Sequence, residues 1–582
     1  MYSRTALWTL IAVSSLVAPA PIVRAAFQAN TEFQVNTYTT GLQYAGAVAA
    51  DGMGNFVVVW ESRYQDGSEF GIFGQRYDSA GLPLGGEFQV NTYTTGFQRY
   101  PAVAADGTGE FMVVWNSTGQ DGSDVGVFGQ RYDSAGLPVG GEFQVNSYTT
   151  GAQSVGSVAS DGAGSFVVVW DSAGQDGSGY GVFGQRYDTA GLPLGGEFQV
   201  NTYTTGNQFA NTAAVAGDAA GNFVVVWTSD GEDGSDLGIF GQRYDSAGLP
   251  VGGEFQVNSY TTGFQSVGSV ASNGAGSFVV VWDSAGQDGS GEGVFGQRYD
   301  SGGLPLGAEF QVNTYTTGSQ ATGLGGVAVD GAGNFVVAWA DLGIFGQRYD
   351  SAGVPLGGQF QVNTNTTDDP FLPVVASDGA GDFFIVWTSR GDGSGKGVFG
   401  QRNKPDRVIQ GKTLRIRNPS GTEADRSVMI LGREPRTGIG MTIDGDPAVS
   451  GATLRVVANG TMSSDQTYVL DASGWRRLGT IGFTYSGPTG GDADPVRQVI
   501  LTRLPSGTAK LKAVIRGDIG TQSLDVVPPN AGVDGGVILQ LGTNGGRYCV
   551  GFGGAAGGTA TRDTAQEWKV VKATAQPGCP SP

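Results

Sequence analysis

Residues 103–146 read VAADGTGEFMVVWNSTGQDGSDVGVFGQRYDSAGLPVGGEFQVN, and this unit recurs along most of the chain. The tryptophan that ends its apolar run returns at Trp60, Trp115, Trp170, Trp227, Trp282, Trp339 and Trp387. The arginine of its GQR motif returns at Arg76, Arg131, Arg186, Arg243, Arg298, Arg348 and Arg402, mostly 55 residues apart. Repetition at this period decides the architecture before any single motif does.

Each unit predicts four strands. Strand a is the short VAA or SVAS stretch that ends at an Asp. The turn Asp106-Gly107-Thr108-Gly109 follows, where glycine supplies the positive φ a tight hairpin needs. Strand b is FVVVW or its variant, apolar at every position, as suits a strand covered on both faces. Strand c is GVFGQRYD, and Asp-Ser-Ala-Gly with a proline close behind reverses the chain. Strand d is EFQVN. Its alternation sets Phe88 and Val90 on one face and Glu87, Gln89 and Asn91 on the other, as suits a half-exposed outer strand.

The two ends of the array favour a ring over an open stack. One FQVN, residues 33–36, precedes any strand a, and the last unit stops at Gln401-Arg402 with no FQVN behind it. Residues 32–37 are therefore expected to supply the outer strand of the last unit. The predicted fold is all-β: a seven-bladed β-propeller over 32–402, then a smaller β-sandwich-like domain over 403–582. The meander resembles NHL-type propeller repeats in its order Val-Ala-x-Asp, Gly-x-Phe-Val-Val and Arg-Tyr-Asp-x-x-Gly. It departs from them in its longer unit and in FQVN and GQR. The whole chain also resembles exported bacterial proteins with FQVN and GQRY repeats, which implies an extracellular location.

The 582 residues include 101 glycines and ten tryptophans, and 39% are hydrophobic, too apolar for a disordered chain. Arg4, the apolar run over 6–17 and the small residues up to Ala25-Ala26 read as a signal peptide, assigned to 1–25. The protein is thus expected to be secreted or at the cell surface, without membrane insertion. Charge is uneven: residues 1–402 hold 13 Lys and Arg against 38 Asp and Glu, and residues 403–582 hold 20 against 15. The acidic part should repel nucleic acid and anionic membranes, and leaves cations, neutral sugars or basic protein surfaces as partners.

Histidine is absent, which excludes Ser-His-Asp and Cys-His catalysis and the commonest zinc ligand. The Asp-Gly-Ser loops at Asp66, Asp121, Asp176, Asp233, Asp288 and Asp392 could cluster oxygens for calcium, but none has the dense Asp-x-Asp-x-Asp spacing of a wrapped ion. An arginine in every GQR reads as structural, paired with a nearby Asp or Glu. No carboxylate pair stands out, so the chain is read as non-enzymatic. Cys549 and Cys579 are the only cysteines and are expected to form one disulfide. Trp475-Arg476-Arg477 reads as an exposed aromatic beside charges, more often ordinary surface than a sugar or partner contact.

In a four-stranded meander, the a–b and c–d turns lie on one face of the ring. The b–c loops and d–a crossings lie on the other. Here the first face has only tight turns and the second has the longer segments, so ligand contact is placed on the second. Residues that break the repeat there are the candidates: Phe97, Arg99, Tyr100, Asn207, Phe209, Asp368 and Asp369. Blade six is cut short at Ala340-Asp341-Leu342, which should notch that rim. The expected function is recognition of a glycan or protein. The alternatives are a structural or surface-displayed envelope protein, and a propeller glycoside hydrolase or lyase.

Overall fold

The computed structural model describes residues 32–573 except 80, 211–213, 324, 366–367, 380, 394, 404–406, 434–442, 444, 488–494, 504–508, 543–545 and 554–555. The expected signal peptide and Cys579 lie outside the described residues. The chain is almost wholly antiparallel sheet, and no described helix is long and apolar enough to cross a membrane.

Up to Asn403 the strands form seven sheets, each built on an a–b–c–d meander. In blade 1 these are Gln43–Ala50, Phe56–Arg63, Phe70–Tyr77 and Phe88–Gln89; in blade 2, Gln98–Ala105, Phe111–Thr118, Val125–Tyr132 and Pro138–Gln144. Blade 7 consists of Phe371–Ser377, Phe383–Ser389 and Gly397–Asn403, with Glu32–Gln34 from the other end of the chain as its fourth strand. Phe33 there lies opposite Gly400 in antiparallel register. Strand b runs mid-sheet and is buried nearly throughout, because apolar side chains leave both of its faces toward neighbouring blades.

The cores lie between blades. Val58 and Trp60 of blade 1 pack against Val374, Phe384 and Val386 of blade 7, together with Phe33 and Val35. Val57 and Val59 pack the other way, against Val113 and Trp115 of blade 2. The same arrangement joins each successive pair of blades round to blades 6 and 7, so the sheets close a ring.

Two repeat signatures explain each other. The GQR glycine lies under the phenylalanine of FQVN: a Cβ on Gly74 would come 2.6 Å from the Phe88 ring, and one on Gly184 2.7 Å from Phe198. The FQVN asparagine is not directed to solvent as the alternation suggested. Asn91 is buried, and its Oδ1 accepts the Ile72 N–H at 2.7 Å while its amide donates to the Tyr93 carbonyl at 3.0 Å. Asn36 does the same with Val398 and Tyr38. A backbone N–H left open where strand d ends takes the side chain inward.

The GQR arginines also differ from expectation. Arg243 donates to the carbonyls of Gly302 and Ser301 at 2.5 and 2.6 Å, in the c–d turn of the next blade. Arg76, Arg131 and Arg186 likewise reach carbonyls in the next blade's turn. The expected carboxylate pairing is seen at Arg402, 3.0 Å from Asp382, and at Arg131, 3.5 Å from Glu110. The turn backbone offers a fixed pair of carbonyl oxygens to a planar fork, so most of these arginines join blades through backbone.

Strand a is longer than its apolar core, eight residues in blades 1, 2, 3 and 5, because Gln98 and its equivalents extend the pairing upstream across an irregularity. Beyond the ring, a five-stranded and an eight-stranded sheet share one core around Leu454, Tyr468, Leu511, Tyr548 and Trp568. Trp475 belongs to that core with its ring 5.4 Å from Tyr485, so the reading of it as an exposed aromatic is wrong. Strand pairing turns its ring inward and leaves Arg476 and Arg477 outside.

Candidate functional site

Every blade presents side chains to the loop-rich face from three aligned positions: early in strand a, third after the tryptophan, and at the start of strand c. In blades 3 and 5 the first two are Ser154 with Ala173 and Ser266 with Ala285. In blade 7 the three positions hold Phe371, Arg390 and Lys396; in blade 1, Tyr44, Arg63 and Phe70; in blade 2, Arg99, Thr118 and Val125. Blade 3 has Tyr180 at the third position and blade 4 has Phe209, Asp230 and Leu237, so aromatic residues recur elsewhere, whereas the cations fall on three adjacent blades, 7, 1 and 2.

The structure joins them into one row. The Tyr44 ring lies 6.3 Å from Phe371 and 6.2 Å from Phe70, and Phe70 lies 6.4 Å from Phe97. The Lys396 ammonium is 4.0 Å from the Phe371 centroid and 5.2 Å from that of Tyr44. The Arg99 guanidinium is 4.7 Å from Phe70 and 4.9 Å from Tyr100. Arg63 lies 4.6 Å from Tyr64 and 5.9 Å from Phe70. Cations over ring faces are held by the ring quadrupole. Phe70 is buried, while Tyr64, Phe97 and Tyr100 each expose more than two-fifths of their surface.

Arg99 is fixed from behind. Its guanidinium donates to Glu61 at 2.7 Å, and the Tyr100 N–H donates to the same carboxylate at 3.1 Å. Residue 61 follows Trp60, and its counterparts hold the next blade in the same way: Asn116 accepts from Val155, Asp283 from Thr322 and Asp171 from Ala210. Burial pushes the carboxyls of Asp171 and Asp283 up to about 7. The hydrogen bond to Glu61 holds the Arg99 guanidinium above its ordinary value. Burial pulls the Lys396 ammonium below its ordinary value, with Asp369 opposing and Arg390 reinforcing that shift.

Backbone conformation singles out the same rim. Tyr64, Tyr100, Asp369 and Leu372 are the described non-glycine residues of the ring with positive φ, at 66°, 54°, 51° and 53°. Tyr64 stands where blades 2 to 5 use Gly119, Gly174, Gly231 and Gly286, all with positive φ. A side chain in that region costs about 1–3 kcal/mol and persists where surrounding structure imposes it.

Of the residues singled out in the sequence, Phe97, Arg99, Tyr100 and Asp369 meet at this rim, the last 3.5 Å from Arg390. Asp368 lies beside it, where its carbonyl accepts the Arg390 N–H and its carboxylate pairs with Asn365. Asn207 and Phe209 belong elsewhere on the ring: Asn207 accepts the Tyr180 N–H, and Phe209 packs on Tyr180. Tyr44, Arg63, Tyr64, Phe70, Phe371, Arg390 and Lys396 were missed. Blade-by-blade alignment carried the signal. Residues 27–402 hold eleven Lys and Arg, seven of them in GQR, and the other four are Arg63, Arg99, Arg390 and Lys396.

Blade six is shortened as its loop suggests, with strands Phe335–Ala340 and Ile344–Tyr349 joined at an exposed Leu342. Asp66, Asp121, Asp176, Asp233 and Asp288 each accept a backbone N–H from two residues on, the ordinary Asx turn. Among the described residues no group of three acidic or sulfur ligands is gathered for a metal. A cavity of about 180 Å³ lies between blades on the tight-turn face beside Asp161, Arg186 and Asn222, away from this rim.

No family model and no curated protein matches the sequence, so the NHL likeness rests on repeat layout. Solved structures match the fold. Puromycin hydrolase, as a mutant complexed with PGG, is 13% identical over 71% of this chain and 62% of its own, TM-score 0.39. The β-propeller domain of the Trilobed protease from Pyrococcus furiosus is 8% identical over 62% and 93%, TM-score 0.36. Chaetomium thermophilum Sqt1, bound to the N-terminus of ribosomal protein L10, is 13% identical over 83% and 98%, TM-score 0.33. The chain thus spans less than two-thirds of puromycin hydrolase. The reading of this chain as non-enzymatic does not stand: the matching structures include two enzymes, puromycin hydrolase and an endo-arabinase from Bacteroides thetaiotaomicron. The absence of histidine removes only the mechanisms that need an imidazole.

Proposed function

We propose that this chain is an exported recognition protein that binds a glycan or protein ligand on the loop-rich face, at the rim of blades 7, 1 and 2. The observation that carries this reading is convergence: the row of rings, every non-GQR cation of residues 27–402 and the four strained non-glycine residues fall on one stretch of rim. A ring that needed only stability would keep Gly119-like glycine and Ser154-like serine there, as blades 3 and 5 do. Residues 1–25 act as the export signal, residues 32–402 form the propeller unit, and residues 403–582 form a second unit in which Cys549 pairs with Cys579.

The test is ligand capture by the full-length protein on arrays of oligosaccharides and peptides. Tyr64→Gly and Phe97→Ala should each weaken the captured ligand at least tenfold. Ser134→Ala and Ser246→Ala, on the tight-turn face, should leave it unchanged. Loss of binding from the turn-face variants alone would overturn the placement.

A further inference from the structure

We propose that the ligand of this rim is an acidic carbohydrate: a sugar whose ring lies on the exposed aromatic faces and whose carboxylate is met by Lys396, Arg390 and Arg63. The inference rests on the recognition reading above and goes beyond it in naming the charge and class of ligand.

The charge argument begins with what surrounds the rim. Residues 27–402 carry 38 acidic residues against eleven basic ones, and seven of the eleven belong to the GQR motif. The remaining four are drawn together across three blades, two on the Phe70 ring and one on Phe371, with Arg390 next to Lys396. Among the described residues, three of the four each have one carboxylate partner, and Lys396 is the exception. Here Arg99 is committed to Glu61, Arg63 shares a half-exposed Glu69 at 3.1 Å, and Arg390 has only the exposed Asp369 at 3.5 Å. Among the described residues no carboxylate lies within ion-pair distance of Lys396. An ammonium without a carboxylate partner in an acidic field favours a ligand with an isolated negative group.

The ring argument concerns shape. Tyr64, Phe97 and Tyr100 offer flat apolar faces at solvent, and Tyr adds a hydroxyl at the ring edge. A pyranose presents a C–H face of matching size and polar edges, which the Thr- and Gln-rich crossings can meet. Arg63 lies over Tyr64 and Arg99 over Tyr100, while Lys396 lies over Phe371 and Tyr44 further along the row, where a carboxylate on the sugar would meet it in a charge-assisted hydrogen bond. The rim contacts are made by side chains, and the strands that carry Tyr44, Arg63 and Phe70 are already paired within their sheet, so a carbohydrate fits better than an added peptide strand.

Calorimetric titration of the full-length protein tests this with tetrasaccharides of galacturonate, alginate and hyaluronan, each beside its carboxyl-reduced counterpart. A Glu-Phe-Glu-Phe peptide and oligo-dT serve as the other arms. At least one acidic tetrasaccharide should bind at least tenfold more tightly than its reduced form, and more weakly as salt rises. Lys396→Leu and Arg390→Ala, which install residues other blades already carry, should abolish that preference while Tm stays unchanged. Equal binding of the reduced sugar, lost in Tyr64→Gly but not in Lys396→Leu, would overturn the acidic class and leave the rim as the recognition site. Binding of the peptide or oligo-dT in place of every sugar would overturn the carbohydrate class. Binding insensitive to all of these variants would overturn both readings.

Discussion

Glu232 occupies the place where blades 1, 2, 3 and 5 carry Gln65, Gln120, Gln175 and Gln287, each donating to the glutamate of its own EFQVN. In blade 4 that glutamate is Glu254, already accepting from Thr202, so two carboxyls meet. Burial, then the shared contact with Glu254, pushes Glu232 up to about 8. The folded chain therefore keeps a proton that the unfolded chain releases near the ordinary glutamate value. Stability from this contact is full below that value and is lost as pH rises to about 8. Glu232→Gln should remove the dependence, so its Tm advantage over the parent should be small at pH 5 and largest at pH 9. Parallel Tm–pH curves for the two would show that the carboxyls do not share a proton. A second residue of this kind is Tyr64. Tyr64→Gly restores the repeat's own residue at φ 66° and should raise unfolding free energy by about 1 kcal/mol, read by urea denaturation. Unchanged or lower stability would mean that its ring contacts offset the strain.

Glu32–Gln34 is the element on which closure of the ring depends. It contributes three residues of pairing, yet Phe33 lies 5.7 Å from the Tyr77 ring of blade 1 and over Gly400 of blade 7, so it packs on both sides of the closure. Phe33→Ala should cost about 3–5 kcal/mol, as other buried Phe truncations do. A chain beginning at Thr37 should melt lower still and self-associate through the bare edge of Gly397–Asn403. Melting and solubility equal to the parent would mean the ring holds without this strand. Strands b and c and the tight turns were legible because periodicity and glycine placement are local properties. The inward Asn91 and the upstream half of strand a were not. Their pairing is set by an N–H on strand c and by the next blade, neither of which alternation along one strand can reveal.

The molecule as a whole carries its acidity and its rim of cations on one ring, with two further sheets around a separate core. Cys549 is buried in that core region, and Cys579 lies outside the described residues. Non-reducing mass spectrometry of exported protein should recover the two as one linked peptide, and recovery of two alkylated thiols would refute the pairing. The sequence by itself determined the repeat, the all-β class and the face with the long loops, because each follows from spacing and turn chemistry within one unit. It also held the four cations outside GQR, but as isolated letters near opposite ends of the repeat array. The predicted ring already makes blades 7, 1 and 2 neighbours; only the tertiary structure decided that Lys396 and Phe371 come against Tyr44, because side-chain contact across two blades is no property of a single repeat. It likewise decided that GQR reaches backbone carbonyls and that Trp475 turns inward, because partners in a neighbouring blade or sheet, absent from the local pattern, satisfy those side chains.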